Sequence, residues 1–350
     1  MNTYIVIVNY NGSTDLIECL ESVYRLSEPN VEVIVCDNGS TDASVDNIKK
    51  WAQGELMATP ESDDDTISKC VSPPIPKPIQ FVQYDCGDTE QVTKLNRDSA
   101  AKMTLITLSP NIGYPGAANV GMKYALARGD FEYLWLLNPD TVVDRSALTN
   151  LLNEARSNPL IGMCGSTVVH YYDPAIIQIA GGGTYNKWLG SIRGLKRGAP
   201  LHESIDKHQM LKAMDFTYGA SMLVSKRFLE QIGLMRKEYF MYFEELEWIC
   251  RARGQLVLGY APDSIVYHKE GRTIGTNAGK KRSLTADYFS VRNRLRFTFE
   301  YYPYALVTLY LALCAAVVRR LFRRQPDRAA MIVKMLLGGP REWRRLPQRP

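Results

Sequence analysis

The chain has 350 residues, 45% of them hydrophobic and 23% charged, with a formal net charge of +5. Those proportions exclude a disordered chain and fit a globular protein of one large domain or two. Seven cysteines without a CxxC pair point to reduced thiols in a cytosolic setting.

The amino terminus, MNTYIVIVNYNG, has no basic n-region and no long apolar stretch, so Tyr4 to Val8 is expected as a buried strand and not a signal peptide. Asn9-Tyr10-Asn11-Gly12 ends it, and Ser13 can cap a helix carrying Leu16, Leu20 and Val23 on one face. A second strand, 31–36, runs into Asp37-Asn38-Gly39-Ser40-Thr41-Asp42, and a helix follows over 43–51. The β-α-β-α order implies a parallel sheet with right-handed crossovers. No GxGxxG follows the first strand, which argues against a dinucleotide-binding dehydrogenase.

Residues 55–98 change character. Pro60, the run Asp63-Asp64-Asp65 and PPIPKP predict an exposed insertion, with a short edge strand at 79–84 inside it. The three aspartates read as solvated charges. Strand character resumes at 103–108. The loop NIGYPGAAN (111–119) then leads into a helix ending near Arg128. Its small residues let a backbone approach a ligand, and a helix start favours an anion. A tight strand-to-helix turn explains the same residues.

Tyr133-Leu134-Trp135-Leu136-Leu137 has no polar break and predicts a central buried strand. Pro139 cannot donate to a ladder, so the strand stops there. Asp140 therefore lies just past the carboxyl end of a central strand, where open α/β sheets bind ligands. A carboxylate held there can bind a divalent metal, and the metal a diphosphate. The plainer reading is a turn toward a helix at Asp144. A helix over 146–157 and a strand over 161–169 follow. The glycine-rich 181–200 reads as a mobile loop over a site. Further on come a strand within 216–225 and a helix over 227–232. The aromatic run 239–243 then leads into Glu244 and Glu245. Aromatic walls raise a carboxylate pKa, as a general base requires, but acids also favour any first helical turn. Strands at 256–260 and 264–268 follow, the second ending at His268. A lone histidine is more often structural than a ligand.

In order, the segments VNYNG, DNGSTD, NIGYPGAANVG, LLNPDT, GASMLVSKR, YFMYFEELEWICRARG and APDSIVYHKEG resemble the family 2 glycosyltransferases, closest to the bacterial rhamnosyltransferase-like branch. The resemblance covers about 4–296. It implies the GT-A nucleotide-diphospho-sugar transferase fold, an α/β fold with a mostly parallel central sheet flanked by helices. It also implies an inverting hexosyltransferase that uses Mg²⁺ or Mn²⁺ and a UDP- or dTDP-sugar donor, rhamnose being one candidate sugar. By that resemblance Asp37 contacts the base, and Asn9 and Asn11 lie near the nucleotide. Gly113 and Asn119 belong to the loop beside the donor. Asn138 replaces the first acid of the metal motif and Asp140 keeps the second, while His268 completes the metal site. Glu245, or its neighbour Glu244, is the base. The segment YFSVRNRLR (288–296) resembles a downstream family segment without a clear role.

The expected organisation is a catalytic domain over 1–296 and a helical tail over 297–350. Residues 301–318 carry no charge, and Arg319, Arg320, Arg323, Arg324, Arg328, Arg341, Arg344, Arg345 and Arg349 follow. Eighteen helical residues reach roughly 27 Å, just short of a hydrocarbon core. A span would carry the arginines to the far side, against the positive-inside rule. The tail is therefore expected to lie in the cytoplasmic face of the inner membrane, or to pack in a homo-oligomer, and nucleic acid is not an expected partner. The expected acceptor is a glycan or a lipid-linked glycan in cell-envelope polysaccharide synthesis. The rivals are a processive polysaccharide synthase, weakened by the missing QxxRW, an inactive nucleotide-sugar binding protein, and a sugar nucleotidyltransferase, which lacks its glycine-rich signature here.

Overall fold

The first apolar run is β1 (Asn2–Asn9), and it lies inside the sheet, buried from Thr3 to Asn9. A parallel sheet is covered on both faces, so its strands need no polar side. Alternation along β1 divides the core in two. Tyr4, Val6 and Val8 join one cluster, and Ile5 and Ile7 the other. The structure is a computed structural model that describes residues 2–86, 90–95, 101–270 and 283–344.

After β1 come α1 (Ser13–Val23), β2 (Val31–Asp37), α2 (Ser44–Gln53), α3 (Asp65–Val71), β3 (Phe81–Cys86) and β4 (Met103–Leu108). Then follow α4 (Tyr114–Arg128), β5 (Phe131–Leu137), β6 (Thr141–Val143), α5 (Ala147–Ser157), β7 (Ile161–His170) and β8 (Asp173–Ala180). The chain continues with β9 (Gly182–Asn186), β10 (Ser191–Gly194), α6 (Lys207–Ala213), β11 (Phe216–Thr217), β12 (Ser221–Ser225), α7 (Lys226–Ile232) and α8 (Glu244–Ala252). It closes with β13 (Val257–His268), α9 (Leu284–Tyr301), α10 (Leu306–Phe322) and α11 (Pro326–Arg344). The main sheet has the order β3-β4-β2-β1-β5-β12-β7-β13-β6, with β8 beside β7. Its neighbours from β3 to β5 are parallel, and β12 is antiparallel between β5 and β7. This is the expected α/β class with a mostly parallel sheet. The chain leaves β1 toward β2 on one side and pairs β5 on the other, so the ligand crevice of such a sheet opens above β1.

Several expectations are corrected. Ser13 is not a cap: Gly12 holds that position, and the Ser13 hydroxyl instead accepts from Asn47 on α2 at 3.1 Å. The 55–98 stretch is not simply exposed, because Ile67, Val71, Ile75 and Val92 are buried. The edge strand expected at 79–84 is β3, paired in parallel with β4. Within the acidic run, Asp64 caps α3 by accepting from the Thr66 and Ile67 amides. The 181–200 stretch is not an irregular loop but the antiparallel pair β9–β10, joined to β11 in a second, three-stranded sheet. Gly182 and Gly183 of β9 are needed for packing. A Cβ on Gly182 would lie 1.8 Å from the Phe216 carbonyl oxygen. The two strands expected at 256–260 and 264–268 are one strand, β13, whose register slips between Ala261 and Ile265. Pro262, which has no N–H for the ladder, sits in the slip.

The last three helices enclose a small core of their own, including Val291, Leu295, Leu309, Leu313, Ile332 and Trp343. Asp287 on α9 ties them together: Arg320 of α10 meets it at 2.7 and 2.9 Å, and Arg328 of α11 at 3.2 Å. Those two arginines are therefore ion-paired within the protein, whereas Arg319, Arg323 and Arg324 are exposed. One helix among the described residues, Pro303–Phe322, is long and apolar enough to cross a membrane, with 22% of its apolar window buried. Its free face carries Val307, Leu311, Val318 and Phe322, 71%, 66%, 52% and 86% exposed. Arg345, Arg349, the side chains of Arg341 and Arg344, Gly271, and residues 87–89 and 96–98 of the expected insertion lie outside the described residues.

Candidate active site

The parallel register places Asn9 opposite Asp37, each the last residue of its strand. Both are buried. The Asn9 amide donates to Asp37 Oδ2 at 2.8 Å, and Ser40 donates to the same carboxylate from its backbone at 2.9 Å and its hydroxyl at 2.6 Å. Asp37 is thus fixed in place with acceptor capacity left on Oδ1. Asn9 Oδ1 is buried without a hydrogen-bond partner. Asn11, at φ +51°, closes the rim by exchanging hydrogen bonds with Thr41. Asn38 links this corner to the next loop, bonding Asn111 and the Ile112 amide.

That loop has a structural explanation of its own. Gly113 is at φ +80°, and a Cβ there would lie 2.6 Å from the Phe240 carbonyl oxygen. Tyr114 then donates its amide to that same oxygen at 2.8 Å. Asn119 does not present a free amide, because its two side-chain groups clamp the Met235 backbone at 2.8 and 3.0 Å. The 111–119 loop is therefore built against the 235–240 segment.

Asn138 follows β5, and its backbone N–H donates to Ala220 at 3.0 Å. No hydrogen bond to its side-chain amide is found among the described residues. Asp140 and His268, 128 positions apart in the chain, are brought together by β6 and β13, which pair Thr141 with His268. His268 Nδ1 lies 2.9 Å from Gln178 Oε1. An amide oxygen only accepts, so Nδ1 donates to Gln178, and this bond turns Nε2 toward Asp140. Nε2 is 3.2 Å from Asp140 Oδ1 yet makes no hydrogen bond. A buried imidazole nitrogen and a buried carboxylate oxygen thus face each other. Cis ligands of an octahedral divalent ion, each roughly 2.1 Å from it, stand about 3 Å apart. The pair fits a divalent ion. No group of three or more acidic, histidine or cysteine side chains converges there among the described residues, so further coordination would come from substrate oxygens and water.

The acidic pair begins α8. Glu244 is 8% exposed, and Oε2 of both Glu244 and Glu245 is buried without a partner among the described residues. Burial pushes Glu245 up to about 7, and burial plus the neighbouring Glu245 charge holds Glu244 well above the usual carboxylate range. Glu245 faces Gly219 in the β11–β12 turn, where a Cβ would stand 3.5 Å from its Oε1. Tyr218 joins the two halves of the site. Its ring meets His268 edge-on at 5.9 Å, and burial with the Glu270, Asp140 and Glu245 charges holds its hydroxyl far above its ordinary range. The loop before α8 is strained. Phe240, Tyr242 and Phe243 have φ of +63°, +67° and +72°, and such non-glycine residues cost on the order of 1–3 kcal/mol each.

Sequence reading missed Ser40, Asn38, Gln178 and Tyr218. Ser40 and Asn38 lie in a motif already singled out and were legible as Asp37's local partners. Gln178 carries no local signal, because only the β7–β8 hairpin brings it to His268.

The sequence model of glycosyl transferase family 2 matches residues 4–63 and 85–233, more than half of the chain. The low-salt glycan biosynthesis hexosyltransferase Agl10 of Haloferax volcanii is 28% identical over 145 residues, which are 41% of this chain and 44% of that protein. The similarity thus reaches less than half of that relative's length. Among solved structures, the mannosyltransferase PcManGT of Pyrobaculum calidifontis, in complex with GDP-Man and Mn²⁺, superposes with a TM-score of 0.50 at 13% identity, covering 96% of this chain and 86% of that one. S. aureus TarS with UDP-GlcNAc gives a TM-score of 0.45 at 12% identity, covering 84% and 66%. The fold is the expected GT-A-like α/β fold, and the chain belongs to glycosyl transferase family 2.

Proposed function

We propose, from membership of glycosyl transferase family 2, that this chain is an inverting hexosyltransferase. It moves a sugar from a nucleotide-diphosphate donor onto a glycan or lipid-linked acceptor. The observation that carries the reading is the Glu244–Glu245 pair, each with one carboxylate oxygen buried and unpaired among the described residues, beside Tyr218 and the Asp140–His268 pair. A protein that only binds its ligand has no use for an unpaired buried acid poised near neutrality, whereas a general base needs one. Glu245 takes the acceptor hydroxyl proton as that oxygen bonds to the anomeric carbon. The bond to the diphosphate breaks on the opposite face and the nucleotide leaves with its electron pair. Inversion in one displacement requires no second catalytic carboxylate.

Asp140 and His268 would hold a Mg²⁺ or Mn²⁺ ion, which supplies Lewis-acid neutralisation of the leaving diphosphate when bound. Gln178 holds the His268 ring with Nε2 turned to that position. A solved structural relative at 13% identity carries Mn²⁺ with its nucleotide sugar, which supports this donor class. Asp37 accepts the imide N–H of uracil or thymine on Oδ1, while Asn9 Oδ1 and Asn11 line the same corner. The sugar, rhamnose included, is set by the donor-side loop and the α8 start. The experiment is nucleoside diphosphate release from a panel of UDP-, dTDP- and GDP-sugars with Mn²⁺, using membrane lipid extract as acceptor. Binding of every donor with release of none makes the chain an inactive nucleotide-sugar binder. Equal affinity for CDP and UDP removes Asp37 from the base.

The catalytic domain over 1–296 docks by the 297–350 tail, through α10 and α11, on the cytoplasmic face of the inner membrane. The exposed apolar face of α10 beside Arg319, Arg323 and Arg324 supports an interfacial placement. Leu311→Glu with Phe322→Glu then releases the protein from anionic vesicles. Retention of both charges on the membrane, or loss of a dimer in their place, assigns the face to packing between copies.

A further inference from the structure

The sequence marks YFSVRNRLR as a segment without a role, and the structure gives two of its residues one. Arg292 and Asn293 on α9 are both completely buried. The Asn293 amide nitrogen is within hydrogen-bond distance of three carbonyls of one loop: Tyr239 at 2.7 Å, Met241 at 2.7 Å and Tyr242 at 3.0 Å. Arg292 donates to the Glu238 carbonyl at 2.9 Å and to Asn293 Oδ1 at 2.7 Å, which turns the asparagine NH₂ group toward the loop. One turn earlier, Phe289 stacks on Phe240 at 4.7 Å. The clasped loop is the strained one. The Met241 amide donates to the Tyr239 carbonyl at 2.7 Å across Phe240, a γ-turn with positive φ. Tyr242 and Phe243 then follow in left-handed conformations, and α8 starts at once with Glu244 and Glu245.

We propose that Asn293, oriented by Arg292, is a positioning residue for the carboxylate at 245, holding the left-handed loop that aims the start of α8 into the cleft. The inference rests on the reading of Glu245 as the base. An isolated chain would relax these residues out of the left-handed region. Three carbonyls converging on one amide remove that freedom and leave α8 a single entry angle. The same loop receives the Tyr114 amide and packs against Gly113, so the clasp also sets the distance between the base and the donor-side loop.

The test uses the full chain with Asn293→Ser, which keeps one donor, and Asn293→Ala. Each is made alone and combined with Tyr242→Gly, a residue that adopts positive φ without strain. Readouts are melting temperature, affinity for UDP with Mn²⁺, hydrogen exchange over 238–246, and kcat on the nucleotide sugar that the intact protein turns over. The expected result is a loss of kcat on the order of 10²-fold, as for a misplaced catalytic group. UDP affinity stays within about threefold, exchange rises over 238–246, and Tyr242→Gly restores part of kcat, because mispositioning moves kcat and not binding. Folded variants with normal kcat and normal exchange over 238–246 overturn the proposal. So does a parallel fall of kcat, UDP affinity and folded fraction without rescue, which assigns Asn293 to stability alone. Glu245→Gln in the same assay separates the two claims: full turnover there sinks the base, whereas its loss beside normal Asn293 variants sinks only the clasp.

Discussion

Two pairs of buried acids lie in this molecule, and their surroundings are opposite. Asp15 and Glu18 on α1 close around Lys269, whose ammonium reaches them at 2.7 and 2.6 Å, and the Tyr171 hydroxyl donates to Glu18. Burial alone would lower the Lys269 pKa, but Glu18 and Asp15 hold it above its ordinary value. Glu244 and Glu245 on α8 have no such cation among the described residues, and each keeps one oxygen buried and unpaired there. A buried charge that is neutralised and fully hydrogen-bonded ties elements together. One that is not is destabilising on its own account, and it persists where chemistry needs it. The difference separates an acid pair with a structural partner from the pair proposed to act in catalysis, in a chain where both read alike as acidic residues on a helix.

That contrast can be broken in four ways. Glu245→Gln should cut transfer about 10²- to 10⁴-fold, with UDP affinity and melting temperature near normal. If Glu244→Gln shows this loss in its place, the base is one residue earlier. Lys269→Met should do the reverse. It leaves Asp15 and Glu18 buried without their cation and should lower unfolding free energy by about 3–5 kcal/mol in urea titrations. A variant as stable as the parent would show that the network is not holding α1 to β13. Gln178→Leu should weaken Mn²⁺ affinity about 10- to 100-fold by freeing the His268 ring, measured by titration in the presence of UDP. EDTA should stop transfer, and full activity in EDTA removes the ion from the mechanism.

The smallest effect concerns pH. Both glutamates have folded-state pKa values above the ordinary 4.5, Glu245 at about 7. Between those limits the folded state holds more protons than the unfolded chain, so the pair's contribution to stability is full below about 4.5 and fades as pH rises through about 7. Glu244→Gln removes one titrating member, so it should flatten the fall in urea stability between pH 5 and 8. An unchanged slope would mean that the pair does not titrate in that window. Turnover should rise with pH over the same range, as the base loses its proton.

Much of this was written locally. The runs at 4–8, 31–36, 103–108 and 133–137 specify buried parallel strands because their apolar residues are unbroken, and each became one, β1, β2, β4 and β5. Asp37, Asp140 and Glu245 stand where a strand or aromatic run stops, and a strand end in a parallel sheet is already a place in three dimensions. The glycines of 181–200 misled, because Gly182 is there for a close approach to Phe216 that lies far along the chain, whereas of the acids at 63–65 Asp63 and Asp65 are exposed as expected and only Asp64 has a further role, as a helix cap. The meeting of His268 with Asp140 was implied only by resemblance. The β6–β13 pairing that makes it depends on a β7–β13 register 96 residues apart, Ile161 against Val257. Gln178 behind the histidine and Asn293 behind the loop that leads into Glu244 and Glu245 are long-range partners as well. Local sequence sets which backbone conformations are cheap and which faces are apolar. Which polar side chain meets which lone pair across the cleft is set by sheet register and helix packing, and only the folded chain fixes those.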